Sequence, residues 1–164
     1  MAIALMREGK RVGVTSLSHK AIHNLLRAVQ HEADRQGFAF RGARRAREAD
    51  EEETAPSIPS IEASKDLDVC ADPSYQLVAG TAWAFTRETV DIHTAERPLD
   101  VLFVDEAGQL ALADVLAVGT AARSVVLLGD PNQLPQVSSV NGVPRSSSTD
   151  AARSRGGPRN TPRR

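Results

Sequence analysis

Apolar residues in this chain come in short runs broken by polar segments, and the period of the pattern changes from run to run. Over residues 1–8, Ile3, Leu5 and Met6 are apolar and Gly9 follows, which predicts the last turns of a helix closed by a left-handed residue. "RVGVTS" is a β-branched run suited to a buried strand, with Ser16 or Ser18 placed to cap the helix after it. In "SHKAIHNLLRAVQHEADRQG", Ala21, Ile22, Leu25, Leu26 and Val29 recur at helical spacing and Gly37 closes the pattern. "YQLVAG" predicts another strand, "TAWAFTRETV" a short helix or turn, and "LDVLFVDE" a stronger strand. "LALADVLAVGTAA" predicts a helix, apolar on nearly every face and therefore sandwiched, and "SVVLLGD" the last strand. These strands are continuous apolar runs with helices between them, so the fold class is α/β: a parallel sheet flanked by helices, with both faces covered.

Two segments break the pattern. Across residues 38–73 periodicity fails: "RGARRAREADEEE" and a Pro/Ser stretch predict a charged, mobile insertion outside the core, its basic run compensated by the acidic one. Beyond Gln136 the chain turns to Ser, Arg, Gly and Pro, which cannot offset ordering entropy by burial, so residues 139–164 are expected to be a disordered tail. One domain over residues 1–138 remains, and 164 residues at 41% hydrophobic content suit a single core. Charge divides along the same line. The last 24 residues hold six of the 20 basic and one of the 21 acidic residues, leaving the rest at a net −6. Cys70 is the single cysteine, which excludes an intrachain disulfide and favours a reducing, cytoplasmic setting, and no apolar stretch approaches the roughly 20 residues of a membrane span.

The candidate chemistry lies where apolar runs stop. In open α/β sheets ligands sit beyond the carboxyl ends of the strands. Asp105 and Glu106 follow one strand there, and Asp130 and Gln133 follow the next. Adjacent Asp-Glu suits Mg²⁺-dependent nucleotide hydrolysis, with Asp105 on the hydrated metal and Glu106 activating the attacking water. A glutamine three residues past Asp130 can hydrogen-bond a terminal phosphate or its water. Taken singly, each stretch is equally an ordinary solvated pair or a Pro/Asn turn; their separation and order join them. Other signals read blandly. His19 and His23 have metal-pair spacing but no third ligand, Cys70 lies in a polar stretch, and Trp83, beside apolar Ala and Phe, reads as a core anchor before a base-stacking face.

Four stretches in order carry a resemblance. "VDEAGQ" resembles the Walker B motif (motif II) of superfamily 1 helicases, "LLGDPNQLPQ" their motif III, "VGVTSLSHKAIHNLL" their motif Ia and "LVAGTAWAF" their motif Ic. The pattern is similar to the Upf-like DNA/RNA helicases, in particular bacterial proteins that fuse a RecB-like nuclease to the helicase, over most of residues 1–138 outside the insertion. The resemblance implies a partial RecA-like P-loop NTPase domain that binds ATP and Mg²⁺ and acts on single-stranded DNA or RNA. Asp105 then matches the Mg²⁺-associated aspartate, Glu106 the catalytic glutamate, and Gln133 the γ-phosphate sensor, with Asp130 supporting its loop. Ser18, His19 and Lys20 match the nucleic-acid contact of motif Ia, and Gly80 with Thr81 that of motif Ic.

The same resemblance implies parts that these residues do not contain. No G-x-x-x-x-G-K-[ST] phosphate loop occurs, and the sheet is expected to lack the strand that carries it, leaving the flank of "SVVLLG" uncovered and prone to aggregation. A second RecA-like domain, with its arginine finger, or a nuclease domain would belong to the parent protein. The expectation is a gene fragment or interrupted reading frame, its tail translated out of frame, and weak hydrolysis by the chain alone. Two other readings stand beside this one. The first is a non-catalytic nucleic-acid-binding or regulatory remnant using the motif Ia and Ic surface and the arginine-rich tail, and the second a free-standing Mg²⁺ hydrolase.

Overall fold

The computed structural model describes residues 1–46, 57–91 and 93–129. Six strands form one all-parallel sheet in the order β3-β2-β4-β1-β5-β6, where β1 is Val12–Thr15, β2 Gly42–Arg45, β3 Ile61–Ser64, β4 Leu77–Gly80, β5 Leu99–Val104 and β6 Ala122–Leu127. Period two explains the two-sided core. Val12 and Val14 face one way with Leu77, Ala79 and Phe103, against Ile3 and Met6 of α1 (Ala2–Arg7) and Ile22, Leu26 and Ala33 of α2 (His19–Arg35). Val78, Leu102 and Val104 face the other way, against Phe85, Val90 and Val118, the last on α3 (Leu112–Gly119). Helices α1 and α2 close as their sequence requires, with Gly9 at φ 77° and Gly37 at φ 60°. After Gly37, Phe38 N–H reaches back to Ala33 O at 2.9 Å, a bond that satisfies an orphan carbonyl of the last turn.

Three expectations are corrected here. The stretch 38–73 is not an insertion without core: its described parts supply β2 and β3, and Phe40, Ala43, Ile58, Val69 and Cys70 are buried. The charge pattern misled because β2, "GARR", buries its backbone and small residues while its arginines emerge at the sheet's carboxyl end. Helix α3 is not sandwiched. Only Val118 is buried, while Leu112 is 73% and Leu116 67% exposed. Finally, β6 is not covered on both faces; it forms an edge of the described sheet with Leu127 exposed, in keeping with the uncovered flank expected for this strand.

At the amino ends of the strands lies a group that sequence patterning did not find. Arg11, 1% exposed, enters the core ahead of β1 and donates Nε to Tyr75 O (3.1 Å), Nη1 to Arg97 O (2.6 Å), and Nη2 to Cys70 O (2.7 Å) and Asp72 O (2.8 Å). One cation thereby satisfies carbonyls of the segments leading into β4 and β5. Cys70 beside it is buried, and burial pushes its thiol up to about 12, so it is an unreactive core residue and not part of a polar surface stretch. Among the described residues no helix is long and apolar enough to cross a membrane.

Candidate functional site at the carboxyl edge of the sheet

The strand order places the predicted segments side by side. Across the carboxyl edge, from β4 through β1 and β5 to β6, come Gly80 and Thr81, then Ser16 to Lys20, then Asp105 and Glu106, then Leu128 and Gly129. Backbone hydrogen bonds continue past the strands and fix these loops to one another. Asp105 N–H donates to Thr15 O at 2.8 Å, Leu128 N–H to Val104 O at 2.8 Å, and Ala107 N–H to Leu128 O at 2.8 Å. The loop after β6 thus lies on the loop that carries Asp105 and Glu106, and Asp130 is the next residue in the chain. Asp130 and Gln133 themselves lie outside the described residues.

Glu106 is the strained point of the edge. Its φ of 53° and ψ of 34° make it the one non-glycine residue with positive φ among the described residues, at a cost of roughly 1 kcal/mol. Its half-buried carboxylate accepts at Oε2 from Ser16 Oγ, 3.2 Å away and 90 positions earlier. Thr15, one residue before, keeps a buried Oγ1 without a hydrogen-bond partner among the described residues. Buried hydroxyls usually find partners, so this edge holds hydrogen-bonding capacity that its own fold does not use. The donor set also decides which metal chemistry fits. No group of three or more His, Cys, Asp or Glu able to hold a metal occurs among the described residues, His19 and His23 included. A lone Asp105 with Glu106 beside it instead suits Mg²⁺, which keeps its waters and takes one or two carboxylates plus substrate phosphates.

Ser18 caps α2 by accepting from Ala21 N–H at 3.1 Å, which leaves His19 and Lys20 in the first turn at this edge. Gly80 has a steric reason for its identity. A Cβ there would stand 2.6 Å from Ala84 Cβ, so only glycine lets the turn Ala82–Ala84 fold back over the end of β4. That turn carries Trp83, which is 80% exposed; the expectation of a core anchor is corrected, since Ala84 and Phe85 fill the core in its place. Trp83 stands between two clefts. The larger, about 480 Å³, runs from Ser16 and Leu17 past Thr81 and Thr86 to Asp114 on α3. The smaller, about 250 Å³, is lined by His19, Arg45 and Arg87. On α2, burial first and then Arg44 and Arg27 push the His23 imidazole below its usual value.

Sequence reasoning missed Ser16 as the partner of Glu106 and Arg45 and Arg87 as neighbours of Trp83. The signal for Ser16 was present, since it is the first polar side chain after the run that forms the central strand. No curated protein matches the chain. The family model described as an AAA domain matches residues 1–153, nearly its whole length, and its α/β sheet with this crowded carboxyl edge agrees: the chain belongs to the AAA domain family of P-loop NTPases, which are helicase-like in fold.

Proposed function

We propose that this chain is the nucleotide-hydrolysing portion of a helicase acting on single-stranded DNA or RNA, with motif Ia at Ser18, His19 and Lys20, motif Ic at Gly80 and Thr81, motif II at Asp105 and Glu106, and motif III at Asp130 and Gln133. The observation that supports it best is the gathering of four loop segments on one edge of the sheet, acidic after β5, hydroxyl-rich and cationic beside β1 and β4. Domains of this family bind ATP with Mg²⁺, and the bound ion would neutralise charge developing on the transferred phosphoryl group. Asp105 would hold the hydrated ion, and Glu106, held by its bond from Ser16, would accept the proton of the attacking water. Asp130 and Gln133, outside the described residues, would act on the terminal phosphate as the resemblance implies. A phosphate chain on the first turn of α2 meets Lys20, which gives affinity without reading sequence. The RecB-like nuclease fusion is the form of parent protein that we propose.

The 164 residues contain no phosphate loop, and positioning supplies most of the catalysis in phosphoryl transfer, so turnover by this chain alone is expected to be slow. Binding is therefore the sharper test. Millimolar ATP with Mg²⁺ is expected to raise the melting temperature, less so in Asp105→Asn, while a labelled oligothymidylate binds in a salt-sensitive way. The cationic surroundings of His23 favour one alternative, a non-catalytic nucleic-acid-binding remnant. Oligonucleotide binding with no response to nucleotide at any concentration selects that alternative; response to neither ligand removes both.

A further inference from the structure

The described sheet has two edges, and they are built differently. Strand β3 is short and guarded: its Glu62 accepts from Tyr75 Oη at 2.7 Å and pairs with Arg41 at 3.6 Å, which puts charge on that edge, a usual guard against further pairing. Strand β6 has six residues, no proline and a single charge, Arg123. Its backbone is half used. Leu128 donates to Val104 O and accepts from Ala107 N–H, so by alternation every second residue back from it turns N–H and C=O to β5, while those of Arg123, Val125 and Leu127 turn to the open side. Both faces beside this edge are apolar. Leu127 lies opposite Val104, on the face of Val118 and α3, and is 56% exposed; Leu112 and Leu116, one turn apart on α3, are exposed on the same side of the sheet. On the other face Leu128, Phe103, Val14 and Met1 line an apolar hollow of about 200 Å³.

We infer that this edge is an interface between two copies of the chain, joined by antiparallel pairing of β6 with β6 of the second copy about a two-fold axis at Val125. Three observations select a second copy as the occupant. The outward groups belong to alternate residues, so with Val125 facing its own counterpart, Arg123 falls opposite Leu127 and each outward N–H meets an outward C=O. Residues directly opposite one another share a face, so the two-fold brings α3 of both copies to one side of the joined sheet, where Leu112 and Leu116 cover each other and the stem of Arg123 lies over Leu127 of the second copy. Charge agrees: β6 and α3 carry one base, Arg123, and one acid, Asp114, so the copies meet without a surplus of either sign. The product is a closed, isologous pair, unlike the open-ended aggregation that an uncovered edge otherwise invites.

Analytical ultracentrifugation of the full chain tests the pair. The wild type is expected to sediment as a monomer–dimer equilibrium, with hydrogen exchange slowing at the Val125 and Leu127 amides as concentration rises. Val125→Pro removes an outward N–H and no bond to β5, and the two-fold loses that bond from both copies, so the dimer dissociation constant is expected to rise about tenfold or more. Leu116→Lys, at an exposed helix position, should weaken the pair as well while the monomer's melting temperature holds, and it keeps the test decisive if the proline variant fails to fold. A chain that stays monomeric up to its solubility limit overturns the inference, whether residues 130–164 or nothing then covers the edge. A dimer that a folded Val125→Pro or Leu116→Lys leaves untouched overturns it too, because another face would be in use. So does a series of ever larger species, which a closed two-fold pair does not produce.

Discussion

The two ends of the strands treat polar groups in opposite ways. At the amino end, the Arg11 guanidinium is sealed in the core and its nitrogens are matched to four carbonyls. At the carboxyl end, Thr15 Oγ1 is buried without a partner among the described residues, Glu106 sits in a left-handed turn, and Trp83 faces solvent. The same sheet that saturates one edge leaves the other with unused capacity. Polar groups that hold a fold together are satisfied within it; groups kept for a ligand are complete only when the ligand arrives.

The sharpest way to break this contrast is Arg11→Met, which keeps much of the volume and removes every donor. Four buried or half-buried carbonyls then lose their partner, and each unsatisfied buried group costs about 1–3 kcal/mol. Even with water reaching some of them, a loss of about 3 kcal/mol or more is expected, read as a lower urea midpoint at unchanged slope. A midpoint within error of wild type would mean that these carbonyls are solvated and the amino edge is not sealed.

Thr15→Val makes the opposite move at the opposite edge. The shape is nearly conserved, β1 accepts a β-branched residue, and the lost hydroxyl has no hydrogen bond to break among the described residues. A gain of about 1 kcal/mol is expected, since a buried hydroxyl without a partner is a net penalty. Smaller again is Glu106→Asn, expected to raise stability by about 0.5 kcal/mol, because asparagine tolerates φ 53° better than glutamate while the Ser16 bond is given up. Stabilisation at both positions, measured by thermal or urea unfolding, is what an edge shaped for a ligand predicts; destabilisation at both would make it ordinary structure.

How much of this was legible in the sequence follows from the range of the forces involved. The runs forming β1, α2, β4, β5 and β6 announce themselves because period and capping are local: Ser18 caps and Gly37 closes α2 as the pattern requires. That Asp105 and Glu106 follow the carboxyl end of β5 was legible because the place where an apolar run stops is also local. The errors are matters of neighbours. β2 and β3 carry too few large apolar residues to show a pattern, yet they pair with each other and β2 pairs with β4. Helix α3 has the composition of a buried helix but at this edge meets only part of a partner surface. Trp83 was misplaced because Gly80 turns the chain so that Ala84 and Phe85 point inward. Arg11 and Ser16 act across 59 and 90 positions respectively, distances that no window spans.

The weakest expected effect separates saturation from burial. Near the amino edge, where Arg7 Nη2 donates to Gln36 O, Glu32 is as fully matched as the carbonyls around Arg11: it accepts from Arg35 at 2.7 and 2.8 Å and from Gln36. Those bonds, Arg35's first, lower its pKa from 4.5 to about 2. A carboxyl group depressed in the folded state contributes stability above its ordinary value, and the contribution drains away as the pH falls from about 4.5 towards 2. Urea midpoints of wild type and Glu32→Gln should therefore differ slightly at neutral pH and converge in acid, and salt should shrink the difference, because this pair lies in solvent where ion pairs contribute little. If the difference at pH 7 instead rivals that of Arg11→Met, hydrogen-bond count alone would govern both sites, and burial would not be what sets the two ends of this sheet apart.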